Sequence, residues 1–202
     1  MQLTPKNIHN GVIGLCEKIN PGEKPRRVPV RPHPQALKDD CFPNVQKQIL
    51  DKGGTMLHGW RITEFPGLFI EGEFHAVWVA PDETLIDVSL VDGESEVLFL
   101  PDSELSFSET QFNRSDNIRL VLSNHPLVHA FISHCEIIFR YKEAHTLPMD
   151  RSLFRVDRDE YEALLHRKAE LELEMLLIKP GRNDPCRCGS GLKHKKCSGK
   201  NA

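Results

Sequence analysis

The sequence predicts an α+β protein: a helix bearing a cysteine packed on an antiparallel sheet, a helical C-terminal half, and a small zinc knuckle. Three observations carry this. Between residues 55 and 100, strand-like apolar runs alternate with turns marked by glycine and proline. From residue 127 to 177, apolar residues recur at helical spacing. Residues 180–200 are too polar to bury a core, yet hold three of the six cysteines. The expected division is residues 1–150 for the α+β domain, 151–179 for a connecting helix and 180–202 for the knuckle.

The chain has 202 residues, 39% of them hydrophobic, which suits one main core with a small appendage. No run of 18 apolar residues occurs, so no membrane-spanning helix is expected. The N-terminus lacks the apolar stretch of a signal peptide. The expected location is therefore the cytoplasm, where thiols stay reduced and close cysteines bind metal or do chemistry. The net charge of −3 hides an asymmetry: from Lys179 onward there are seven Lys/Arg against Asp184 alone, which leaves 19 basic and 28 acidic groups in the rest. A basic knob on an acidic body suits an anionic partner such as RNA, a ribosome or an acidic protein face.

Thr4-Pro5 reads as a helix cap and first-turn proline, with Ile8, Val12, Ile13, Leu15, Cys16 and Ile19 as one apolar face. Residues 20–36 carry five prolines and read as an extended connector over the surface. Phe42, Val45 and Ile49 form a helical stripe, Pro43 restricts the helix start to residue 41 or 42, and Gly53-Gly54 ends it. Strand-like runs follow at 55–62, 68–70, 73–80, 84–90 and 96–100. The runs 73–80 and 84–90 read as a hairpin turning at Pro81-Asp82-Glu83, with paired numbers summing to about 162–164. That register puts His75 opposite or diagonal to Asp87. The second half reads as helical, with helices over 127–141 and 157–177; Trp60 and Trp78 are assigned to the core.

In the tail, Cys186-x-Cys188 places two thiolates on one turn, Gly189-Ser190-Gly191 lets the chain double back, and Cys197 returns the third. Close thiolates select zinc over hard cations, and metal binding supplies the folding free energy such a short segment lacks. These residues, from Gly181-Arg-Asn-Asp-Pro to Lys196-Cys197, resemble the SEC-C motif, the zinc knuckle at the C-terminus of the translocase ATPase SecA. The resemblance implies recognition of chaperones, phospholipid or ribosomes. It also implies a fourth Cys or His ligand directly after Cys197, where this chain has Ser198. His194, a water or the serine hydroxyl are the candidates to replace it.

In the body, Cys41 sits at an expected helix N-terminus, where the dipole and free N–H groups favour thiolate. His75 on a strand would take its proton, and Asp87 on the next strand would orient the imidazole. Residues 35–90 resemble the transglutaminase-like and papain-like cysteine enzymes in this order, in His75-Ala-Val-Trp78 and in Leu85-Ile-Asp87-Val-Ser. The resemblance implies acyl or amide hydrolysis or transfer on a protein or peptide substrate, with Gln35 at the offset of an oxyanion-hole glutamine. Asp39 and Asp40 depart from it by placing negative charge beside the thiol. The alternative reading is a non-enzymatic adaptor whose knuckle binds a ribosome, RNA or chaperone. A zinc enzyme using an open ligand position lacks a nearby general base.

Overall fold

A computed structural model describes residues 2–91, 93–104, 116–147 and 150–197. Its element order is α1 (Asn10–Ile19), β1 (Arg26–Pro29), α2 (Cys41–Lys52), β2 (Thr55–Phe65), β3 (Phe69–Val79), β4 (Leu85–Ile86), β5 (Glu96–Pro101) and β6 (Ile118–Val121). Then come α3 (Pro126–Ala144), β7 (Thr146–Leu147), β8 (Asp150–Phe154), α4 (Arg158–Leu176) and a 3-10 turn over His194–Lys196. The architecture is mixed α+β with an antiparallel sheet and a C-terminal cysteine cluster.

The long β2–β3 hairpin is the spine. Its two strands pair from Thr55↔Val79 to Phe65↔Phe69 around the turn at Pro66-Gly67. The sheet order is β1-β5-β2-β3-β4, with β6 pairing the Phe69–Gly72 end of β3. Its two edges meet: Val30 bridges Asp87, with Asp87 N–H donating to Pro29 O (3.0 Å) and Arg31 N–H to Asp87 O (2.8 Å). The sheet thus closes on itself beside β4, which removes exposed edge there.

Alternation along the strands sorts the side chains between layers. Val28, Val77, Val97 and Phe99 pack together in one cluster. On α1, Val12, Leu15 and Cys16 cover Trp60, Ile62, Leu98 and Leu100. On α2, Phe42 and Val45 cover Ala76, Trp78, Ile86 and Val88. At the turn end of the spine, α3 and α4 bury Phe65, Leu68 and Phe69 with Phe131, Leu171 and Met175. Both tryptophans lie in these cores, with their indole N–H groups donating to Asp102 Oδ2 (3.0 Å, Trp60) and Gly53 O (2.8 Å, Trp78).

The expectations for α2, β5, α3 and α4 match the structure closely; α4 is capped by Asp157, whose side chain accepts from Glu160 N–H. Four differ. Helix α1 begins at Asn10 with His9 as its cap, because Thr4 is committed elsewhere: its N–H and hydroxyl both donate to Glu94. Ile8 precedes that helix and is exposed, and Ile13 falls on its exposed side. The proline-rich connector contains β1, whose Val28 is fully buried, so part of it belongs to the sheet rather than lying over it. The runs at 68–70 and 73–80 are one continuous strand, and the second half contributes β6 to the same sheet.

Gly59 faces His75 across the spine, and a Cβ there would lie 2.2 Å from Leu100 O and 2.6 Å from the Phe99 ring. The backbone carbonyl cannot move aside without breaking the β2–β5 ladder. Gly59→Ala is expected to cost about 2 kcal/mol by overpacking, read as a lower urea midpoint; an unchanged midpoint would contradict this packing.

Candidate functional site

Cys41 is the first residue of α2, and the chain is driven into that position by several contacts. Asp39 adopts φ 62°, a left-handed conformation that aspartate tolerates. Asn44, buried in the first turn, clamps the preceding loop by accepting from Leu37 N–H (2.9 Å) and donating to Leu37 O (2.8 Å). His33 anchors the same loop: its N–H donates to Val88 O and its Nε2 lies 2.9 Å from Asp51 Oδ2. The thiol is half-buried at the helix start.

The structure brings Cys41, His75 and Asp87 together. His75 Nε2 lies 2.9 Å from Asp87 Oδ2, and Cys41 is near enough to the same imidazole to help raise its pKa. With Nε2 engaged by the carboxylate, Nδ1 is the nitrogen left for sulfur. Asp87 is held in turn: Ser89 N–H donates to its Oδ1 (2.9 Å), and its own backbone bridges to β1 on both sides of the peptide. The hairpin pairs Trp78 with Ile86 and Val79 with Leu85, so the numbers sum to 164 and Asp87 lies diagonal to His75. Exposure decreases inward, from the half-buried Cys41 through His75 at 5% to Asp87 at 0%.

Burial opposes charge on His75, but the adjacent Cys41 and Asp87 outweigh it and hold the imidazole well above its ordinary 6.5. Burial likewise opposes charge on Asp87, yet His75 and the Ser89 N–H hold its carboxyl below the ordinary 3.8. The pair therefore favours a protonated imidazole against the Asp87 carboxylate. By contrast, burial pushes the thiols of Cys16 and Cys135 up to about 11.

Gln35 is exposed in the loop before α2; its N–H donates to His33 Nδ1 and its carbonyl accepts from Lys47, and among the described residues it makes no hydrogen bond to Cys41, His75 or Asp87. Prolines at 32 and 34 fix this course. A residue that sequence reasoning missed, His58 on β2, packs its ring against Phe42 (5.9 Å) and Phe74 (6.3 Å), which touch each other. Its Nε2 is buried without a partner among the described residues, and burial lowers its pKa. The signal available was its period-2 register with Met56 and Trp60.

In the C-terminal segment, the Sγ atoms of Cys186, Cys188 and Cys197 all lie within 4.8 Å of one another. Cys188 and Cys197 are 3.3 Å apart, far longer than a disulfide. His194, on the 3-10 turn leading into Cys197, places Nδ1 3.9 Å from Cys186 Sγ. The three sulfurs at these separations are compatible with metal binding, and His194 stands beside them against Cys186 alone. Ser198 lies outside the described residues.

The knuckle is seated on the body. Arg187 lies over the Phe65 ring (5.2 Å) and donates to the carbonyls of Met175 (3.1 Å) and Ile178 (3.2 Å) at the end of α4. Gly67, Gly189 and Gly191, all at positive φ, allow backbone to approach where no Cβ fits: against Pro185 O, Glu64 Oε1 and the His9 ring. Glu64 is buried at this seam and lies 3.0 Å from His9 Nε2. The expectation of a knob hung from a helix is thus modified: α4 packs on α3, and the knuckle rests on the spine's turn.

The C-terminal segment falls in the class of SEC-C knuckles: the family model for the SEC-C motif matches residues 182–197. Among particular relatives, the chain is 75% identical over 24 residues to the protein translocase subunit SecA of Thermodesulfovibrio yellowstonii, covering 12% of this chain and 3% of that protein. It is 77% identical over 22 residues to a UPF0225 protein of Vibrio cholerae, covering 11% of this chain and 15% of that one. No solved structure matches the chain. No helix among the described residues is long and apolar enough to cross a membrane.

Proposed function

We propose that the body is a thiol enzyme acting on acyl or amide groups of a protein or peptide, and that the knuckle binds zinc. The observation that carries the first part is the Cys41–His75–Asp87 cluster, with a half-buried sulfur above a fully enclosed imidazole–carboxylate pair. The order Cys helix, His strand, Asp strand is that of the transglutaminase-like and papain-like enzymes, and the reading assigns residues 35–90 to such a core within a domain of residues 1–150. With the proton held on His75 Nδ1, the Cys41 sulfur forms a bond to the acyl carbon. Backbone N–H groups at the start of α2, where Pro43 supplies none, face the developing oxyanion. The imidazolium then protonates the leaving group as its bond to carbon breaks. Water or an amine attacks the thioester and releases Cys41.

In the knuckle, Cys186, Cys188 and Cys197 would hold the ion, with His194 as fourth ligand after a small shift toward the other sulfurs. Bound zinc supplies a structural crosslink there.

The test is acylation with p-nitrophenyl acetate and a panel of peptide thioesters and amides. The expected result is an acyl adduct mapped to Cys41, absent in Cys41→Ala. Turnover and adduct both missing across the panel, in protein that binds zinc and melts cooperatively, would defeat the reading. A second reading, a non-enzymatic adaptor for an RNA, ribosome or acidic protein partner in the cytoplasm, is favoured by the exposed Arg182, Lys193 and Lys196 of the knuckle. It predicts partner binding lost in Cys186→Ser and retained in Cys41→Ala.

A further inference from the structure

The three cysteines of the knuckle are not equivalent. Cys186 is 2% exposed, its N–H donates to Leu192 O (2.7 Å), and its sulfur lies beside His194 Nδ1. Cys188 is exposed and Cys197 is half-buried. Their sulfurs stand 3.3 Å apart, against roughly 2.05 Å in a disulfide. Ser190 Oγ donates to Cys197 Sγ (3.4 Å) from the turn between them. One sulfur thus meets solvent, a second stands against it, and the third is covered. Oxidation of a thiol follows its exposure, and a thiol poised next to it resolves the product as a disulfide.

We infer that Cys188 and Cys197 form a peroxide-sensitive pair, whose disulfide takes the place of the metal crosslink in the knuckle. The release of metal rests on the zinc reading above; the pairing of the two sulfurs does not. The Cys188 sulfur forms a bond to one oxygen of hydrogen peroxide as the O–O bond breaks, giving a sulfenic acid. The departing hydroxide leaves as water, with a proton from the thiol or, for a metal-bound sulfur, from solvent. The Cys197 sulfur then bonds to the Cys188 sulfur and displaces its hydroxyl as a second water. Two electrons pass from the sulfur pair to the peroxide. Only thiolate sulfur is a metal ligand, so Cys186 and His194 alone remain of the candidate set. That is too few for the four-coordinate site of a structural zinc.

The full chain, reduced and zinc-loaded, is titrated with hydrogen peroxide. Zinc release is followed with a colorimetric chelator, and unreduced peptides are mapped by mass spectrometry. Zinc should leave in step with formation of the Cys188–Cys197 disulfide, and dithiothreitol with added zinc should reverse both. In Cys197→Ser the resolving sulfur is gone, and dimedone should trap sulfenic acid on Cys188 at least about tenfold more than on Cys186. The same map on chelator-treated protein tests the pairing without metal. No zinc in the reduced protein would defeat the metal reading and the release step, while the map still decides the pairing. A disulfide from Cys186 to either neighbour as the main product, dimedone on Cys186 in place of Cys188, or zinc retained once the 188–197 bond is complete would each overturn the inference.

Discussion

Iodoacetamide should label Cys41 well ahead of Cys16 and Cys135 in the folded, metal-loaded protein, and His75→Ala should slow that labelling on the order of tenfold or more near neutral pH. The contrast has a physical source on each side. Cys16 and Cys135 are enclosed in apolar clusters, and burial lifts their thiols to about 11. Cys41 instead starts a helix, half-buried, and meets an imidazole that Cys41 and Asp87 hold above its ordinary range. Truncating His75 removes the positive charge beside the sulfur. Asp87→Asn keeps the shape of the carboxylate but not its charge, so it should slow labelling with little loss of fold. Asp87→Ala leaves a buried imidazole unpaired and should cost about 3–5 kcal/mol. Peptide mapping by mass spectrometry after timed alkylation checks all of these; equal, slow labelling of the three cysteines would end the thiol-enzyme reading.

The same cluster sets a pH window for stability. His75 is raised in the folded state, so its contribution is complete below the ordinary 6.5 and is lost as pH rises through the elevated folded value. Asp87 is depressed, so its contribution is present above the ordinary 3.8 and is lost as pH falls through the lower folded value. The cluster therefore stabilises most between these two ordinary values. The stability difference between wild type and His75→Ala should shrink as pH rises through the alkaline side of that window.

The local signals in the sequence were sufficient where one physical rule dominated. Pro43 and Gly53 bound α2 closely because proline tolerates only a first turn and Gly53 takes the positive φ that ends the helix. The Pro81-Asp82-Glu83 turn fixed the register that brings Asp87 diagonal to His75. Non-local pairing was not legible. Val28 looks like a lone valine among prolines, and only the closing of the sheet buries it against β5 and beside β4. Thr4 reads as a cap until Glu94, distant in sequence, captures it. The seating of the knuckle depends on glycines at 67, 189 and 191, whose meaning lies in what approaches them.

Chelation should unfold more than the tail. Were the knuckle an independent appendage, removing its metal would leave the melting of the body unchanged. It is instead joined to the spine's turn: Arg187 spans the Phe65 ring and the last carbonyls of α4, and Gly189 lies against the buried Glu64 that pairs with His9, the cap of α1. Metal that binds only the folded knuckle at about a thousand times its dissociation constant adds about 4 kcal/mol to whatever unfolds with it. For a chain of this size that corresponds to a fall on the order of 10 °C in the body's melting temperature on chelation or in Cys186→Ser. Arg187→Ala keeps every ligand but cuts the coupling, so its melt should be lower with metal present and should respond less to chelation. Differential scanning calorimetry followed by zinc readback distinguishes the cases. A body transition that ignores both chelator and Cys186→Ser would show that the contacts at Phe65 and Glu64 carry no coupling energy, whatever the knuckle binds.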